Sequence, residues 1–99
     1  MLYGPDGRAV NKMNWMQFAE YQRWDEYPER ADNPPMTADF AFWYHDKKYF
    51  CTGEDFGNII ADESWNRMAY DNNFLKLLEC PIFDGKSFHD CIDEILFIE

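Results

Sequence analysis

Carboxylates are the most numerous chemistry-bearing groups in this chain, with 19 Asp and Glu against nine Lys and Arg. They are spread rather than blocked: Asp25, Glu26, Glu29 and Asp32, then Glu54, Asp55, Asp62 and Glu63, then Asp90, Asp93, Glu94 and Glu99. Most acidic domains use such a surface only to stay soluble. Carboxylates held rigidly a few ångströms apart have a second use, because they imitate a row of phosphates and are accepted by a groove lined with Lys and Arg. Glu54, Asp55, Asp62 and Glu63, with Asp71 as a spatial neighbour, are the best candidates for such an array. Hard-cation chemistry is a competing use of the same groups, but neither a D-x-D-x-D-G loop nor a carboxylate motif with His is present. Zinc would need Cys51, Cys80, His89 and Cys91 together. A His and a Cys two residues apart on one helix point about 200° from each other, which is wrong for that. A nucleophilic Cys needs a His within hydrogen-bond reach, and His45 would approach Cys51 only by an accident of register. The sequence has no Gly-rich phosphate loop, G-x-S-x-G elbow or H-E-x-x-H pair, so neither catalytic residues nor a cofactor are expected.

Aromatic side chains are the other conspicuous resource. Trp15, Phe18, Tyr21, Trp24 and Tyr27 recur every three residues, while an α-helix turns once every 3.6, so successive rings step backwards around the axis. On one continuous helix they cannot all face one core. Either the Pro-rich segment that follows folds back over the outer rings, or Trp24 and Tyr27, beside Asp25 and Glu26, are anchors for a protein partner, the use interfaces favour for large amphipathic rings.

These side chains must be positioned by a single small domain. The 99 residues carry a formal charge of −10, which argues against direct binding of DNA, RNA or anionic lipid through phosphate contacts. With 46% hydrophobic and 19% aromatic residues there is too much to bury for an acidic disordered tail. The N-terminal stretch MLYGPDGRAVNKMN lacks the apolar core of a signal peptide, and no apolar run is long enough to span a bilayer, so the cytoplasm is the expected address. Three cysteines without a CxxC pair then read as free, reduced thiols.

The expected organisation is one α+β domain over residues 1–99. Asn14 and Gln17 form a capping-box pair that opens a helix over 14–25. A Pro-rich loop follows over 28–36. Phe40, Phe42 and Tyr44 alternate with Ala41 and Trp43, and the polar turn from His45 leads to Tyr49–Thr52. Ile59 and Ile60 supply a third strand and 65–70 a fourth, giving an antiparallel three- or four-stranded meander over 38–70. Two short helices are expected over 71–97. The first is capped at Asp71 or Asn72 and stopped by Pro81; the second opens on Ser87 and Asp90 and buries Phe88, Cys91, Ile92, Ile95 and Leu96 at helical spacing.

The stretch F-A-F-W-Y-H-D-K-K-Y-F from Phe40, followed by N-F-L-K-L-L-E-C-P-I-F-D-G-K-S-F-H-D-C-I-D-E-I, resembles small acidic orphan proteins carried by gut Firmicutes and their phages and mobile elements. The resemblance covers about the last 60% of the chain. It brings no catalytic residues. It implies a genomic setting in which small acidic proteins inhibit host defence, as in the anti-CRISPR class. The expected function is therefore that of a non-enzymatic inhibitor, which occludes the nucleic-acid groove of a basic partner such as a CRISPR effector or other defence nuclease. An immunity protein or antitoxin capping a toxin active site is the alternative, and a small metal-dependent hydrolase a further one.

Overall fold

The structure, a computed structural model, describes residues 1–55 and 57–99. Asn14 caps the first helix, α1 (Trp15–Tyr21), through the reciprocal pair expected: its side chain accepts from the Gln17 amide while the Gln17 side chain accepts from the Asn14 amide, both at 2.8 Å. The helix stops at Gln22, short of the expected 25, because Arg23 adopts a left-handed conformation with φ 58°. Gln22 is the physical reason for the stop being there. Fully buried, its side-chain oxygen accepts from the amides of Thr37 and Ala38 and its nitrogen donates to the Ala38 carbonyl, tying the helix end to the strand that follows the Pro-rich loop. Two single 3₁₀ turns, Trp24–Glu26 and Pro28–Arg30, take the chain into that loop.

The expected three- or four-stranded meander with one N-terminal and two C-terminal helices is overturned by a seven-stranded antiparallel sheet. Its strands are β1 (Leu2–Tyr3), β2 (Ala9–Asn11), β3 (Phe40–Tyr44), β4 (Lys47–Glu54), β5 (Gly57–Asp62), β6 (Arg67–Asp71) and β7 (Ile95–Ile98), in the order β1-β2-β7-β3-β4-β5-β6. Four of them occupy the 38–71 stretch. The other three come from the two ends of the chain. The β3–β4 turn is tighter than expected, with Tyr44 paired to Lys47 and His45 at φ 56°. Trp65 lies in the β5–β6 turn rather than in a strand. Gly53 and Gly57 predict a turn between β4 and β5, and Phe56 within it lies outside the described residues.

Of the two C-terminal helices, only α2 (Phe74–Leu78) forms, capped by Asn73. The Ser87 and Asp90 box does close, with the Asp90 amide donating to Ser87 Oγ at 3.0 Å and the Ser87 amide to Asp90 Oδ2 at 3.2 Å. It opens onto one 3₁₀ turn, Ile92–Glu94, and then β7. Ile-Leu-Phe-Ile alternates as a strand, and β7 fills the gap between β2 and β3, pairing with both. A ladder satisfied on two sides outweighs the local preference for a helix.

Register divides the sheet into two faces. Phe40, Phe42, Tyr49, Cys51, Ile60, Ile95 and Phe97 lie on the face covered by α1, α2 and the C-terminal turns, around Phe18, whose ring centroid is 5.3 Å from those of Phe40 and Phe88. Burying each such side chain stabilises the fold by ~1.5–3 kcal/mol. Among the described residues no helix is long and apolar enough to cross a membrane.

Candidate functional site

The second face of the sheet carries no helix, yet it is not polar. Alternation along the strands places Val10, Ala41, Trp43, Phe50, Ile59, Ala61, Leu96 and Ile98 there. A sheet with one solvated face ordinarily alternates apolar-in with polar-out. Here Val10, Trp43, Ile59 and Ala61 are each buried without a covering layer. What shields them is local. Gly4, from the β1–β2 hairpin, sits so close on Trp43 that a Cβ there would lie 2.8 Å from Trp43 Nε1, and that indole N–H is buried with no acceptor among the described residues. The Lys48 ammonium lies 5.9 Å from the Trp43 ring centroid and 5.4 Å from that of Phe50. Arg67 and Glu54 pair at 2.6 Å, reaching from β6 to β4 across the face that holds Ile59.

Trp65 completes this surface. It is 60% exposed, stacks on Phe50 with ring centroids 4.8 Å apart and planes 8° apart, and holds φ 62°. A bulky residue in the left-handed region is uncommon and costs roughly 1–3 kcal/mol. The turn that imposes it is built by Asp62, whose carboxylate accepts from the Ser64 amide at 2.9 Å, the Asn66 amide at 2.9 Å and Asn66 Nδ2 at 3.1 Å. Those hydrogen bonds, the Asn66 side chain first, hold the Asp62 carboxyl below its ordinary range. Tyr70, 47% exposed, shares the face on β6.

The residues singled out from the sequence fall into separate places. Glu54 and Asp55 stand at one end of β5, and Asp62 and Glu63 at the other, about 17 Å away at the rise of an extended strand. They frame the sheet rather than form one cluster. Glu54 is already paired with Arg67, and Asp62 is consumed by its turn; Asp55 and Glu63 are exposed. Trp24 corrects the helical extrapolation. The helix ends before it, so its ring does not swing away but packs edge-on against Phe18 and Phe74 at 5.8 and 6.0 Å, with Nε1 donating to the Pro35 carbonyl at 2.9 Å. The Pro-rich loop does fold back over it. Tyr27 is half-buried, Asp25 and Glu26 are exposed, and Glu26 pairs with Arg23.

The sequence reading passed over Phe50, Trp65 and Tyr70. The signal for them was the Asp-x-Ser-x-Asn pattern from Asp62 to Asn66, which makes a side-chain-closed turn and carries a Trp at its tip.

Among the described residues no three His, Cys, Asp or Glu side chains are grouped to hold a metal ion. Cys51 and Cys91 are buried and Cys80 half-buried, all as free thiols. Burial pushes the Cys91 thiol up to about 11, and that of Cys51 higher still. Neither of these two is poised as a nucleophile. No protein-family model, curated protein or solved structure matches the chain.

Proposed function

We propose that this chain is a non-enzymatic binding protein that inhibits a nucleic-acid-handling partner, a CRISPR effector or another defence nuclease, by seating its helix-free sheet face on the partner's basic groove. The observation that supports the reading is the apolar character of both sheet faces, one of which ends in an exposed, conformationally strained Trp65 in the same turn as Glu63, with Asp55 at the opposite end of β5. Aromatic anchors ringed by charge are what a protein interface uses for affinity, and a net charge of −10 steers approach to a Lys- and Arg-rich groove. The mechanism is occlusion: carboxylates accept the hydrogen bonds that the partner's Arg and Lys otherwise give to phosphates.

The test is cleavage of labelled DNA and RNA by a panel of purified CRISPR effectors and bacterial nucleases, with and without the protein. Inhibition competitive with the nucleic acid is expected for at least one of them. It should weaken between ~50 and ~300 mM salt as charges are screened. Trp65→Ala should weaken it by ~10-fold or more, and Asp55→Lys with Glu63→Lys should do the same. A panel left uninhibited, or inhibition indifferent to salt and to these substitutions, refutes the reading. Specific capture of a toxin without a nucleic-acid groove would replace it with the immunity-protein alternative.

A further inference from the structure

At the end of the sheet where the β3–β4 and β5–β6 turns meet the turn at Asp84 and Gly85, two cavities of about 310 Å³ each share Asp46, Lys47, Tyr49 and Met68 as walls, forming one cleft. One cavity adds Asp62 and Glu63, the other Tyr44, Phe83 and Asp84. Tyr49 is the unusual member. It is only 7% exposed, its ring stacked on Phe42 and set edge-on to Phe83, yet its hydroxyl has no hydrogen-bond partner among the described residues. The oxygen is not sealed in, since Trp43 Nε1 alone among the described buried side-chain polar atoms lacks both solvent and a partner. With its ring packed against Phe42 and Phe83, what Tyr49 offers the cleft is its phenol. Burial, and then the carboxylates of Asp62 and Asp84, raise that phenol's pKa, so it stays protonated at neutral pH.

The charges around it are unbalanced. Asp62 is spent on its own turn, and Lys48 is turned over the rings of Trp43 and Phe50. Asp46, Glu63 and Asp84 then line the cleft with Lys47 and His45, three carboxylates against one ammonium and one imidazole. Among the described residues the Asp84 carboxylate has one weak partner, the Tyr44 hydroxyl, which donates to it at 3.4 Å. Tyr44, stacked on His45, and Phe83 are buried behind the cleft, so what faces a ligand is a neutral phenol and carboxylates on more than one side, which suit a flat cation with several N–H donors better than a compact ammonium.

We propose that this cleft is a binding site for a guanidinium group, supplied by an arginine side chain of the partner protein. The guanidinium donates to the carboxylates of Asp84 and Asp46 and to the Tyr49 hydroxyl oxygen. The source of the arginine rests on the inhibitor reading above. The site itself does not, and it is tested without any partner.

The full chain is titrated with Nα-acetyl-arginine amide, and with the lysine counterpart, while amide resonances are followed by NMR. Saturable shifts centred on residues 44–49, 62–68 and 83–85 are expected, with the lysine derivative at least ~3-fold weaker. Tyr49→Phe, which keeps the packed ring, and Asp84→Asn, which keeps a residue tolerant of the left-handed φ of 55° at that position, should each weaken binding by ~5-fold or more. Thermal melts establish that each variant is folded, and either variant alone suffices for the comparison. The site is overturned by no saturable shift up to ~50 mM, by equal affinity for the lysine derivative, by unchanged affinity in the folded variants, or by shifts centred on Glu54 and Asp55 instead. Arginine binding with an uninhibited nuclease panel would uphold the cleft and remove the inhibitor reading; the opposite pair of results would do the reverse.

Discussion

Replacing Gln22 by Met removes a buried amide while keeping its length, and the structure sets what that costs. Gln22 is 0% exposed; its Oε1 accepts from the Thr37 amide at 2.8 Å and the Ala38 amide at 3.2 Å, and its Nε2 donates to the Ala38 carbonyl at 3.0 Å. The substitution orphans two donors and one acceptor, while the bond from Thr37 Oγ1 to the Gln22 backbone carbonyl at 2.7 Å survives. An unsatisfied buried group costs ~1–3 kcal/mol, and because Thr37 is exposed, water can rescue one of the three. The remaining two give an expected loss of about 2–6 kcal/mol, from the ~5–15 kcal/mol that holds a domain together. Equilibrium urea unfolding, followed by tryptophan fluorescence and far-UV circular dichroism, measures it directly, and the melting temperature should fall by at least ~8 °C. An unchanged slope with a loss under ~1 kcal/mol would show that the loop after α1 finds other partners and that Gln22 does not organise it.

Ile95→Ala should destabilise by ~2–5 kcal/mol, because Ile95 is fully buried on the central strand β7, whereas Ile92→Ala, at a half-buried 3₁₀ position, should cost clearly less in the same urea titration. Equal losses would restore a C-terminal helix in which both face the core. Acid should weaken the fold through three carboxylates whose folded pKa values are depressed: Asp62 by the Asn66 side chain, Asp90 by the Ser87 amide and hydroxyl, and Glu94 by the hydrogen bond to His45. A depressed folded value contributes stability above the ordinary carboxylate pKa and loses it as pH falls through the folded value, so urea midpoints should drop below about pH 4, and less steeply in Asp62→Asn. A flat acid limb would refute this. In a thiol-reagent assay at neutral pH, half-buried Cys80 should react first, with Cys51 and Cys91 reacting only on unfolding; three fast thiols in the folded protein would mean that the core is open.

What residues and spacing determine by themselves is local. The Asn14 and Gln17 capping box and the Ser87 and Asp90 box are written in neighbouring residues whose side chains close onto nearby backbone, the β3–β4 hairpin and the turn at Asp84 and Gly85 in turn-forming residues closed by backbone pairing, and each is in the structure. Length and composition likewise settle that 19% aromatic residues must find a core. What those local signals open onto was decided by tertiary pairing. From Cys91 onward the spacing fits a helix, but the vacant ladders of β2 and β3 satisfy more backbone as a strand than a lone terminal helix could. Trp24 follows the same logic, since a three-residue period has meaning only while the helix continues, and Gln22, drawn into the interior by Thr37 and Ala38, ends it. The candidate site was least legible of all. Asp62 and Glu63 read as free acidic groups, and only the folded turn shows that Asp62 is spent on presenting Trp65, while Glu63 borders the cleft at Tyr49. A carboxylate's availability depends on which amides reach it, and a ring's exposure on which strand lies beneath it; both are set by contacts between segments that the linear order keeps apart.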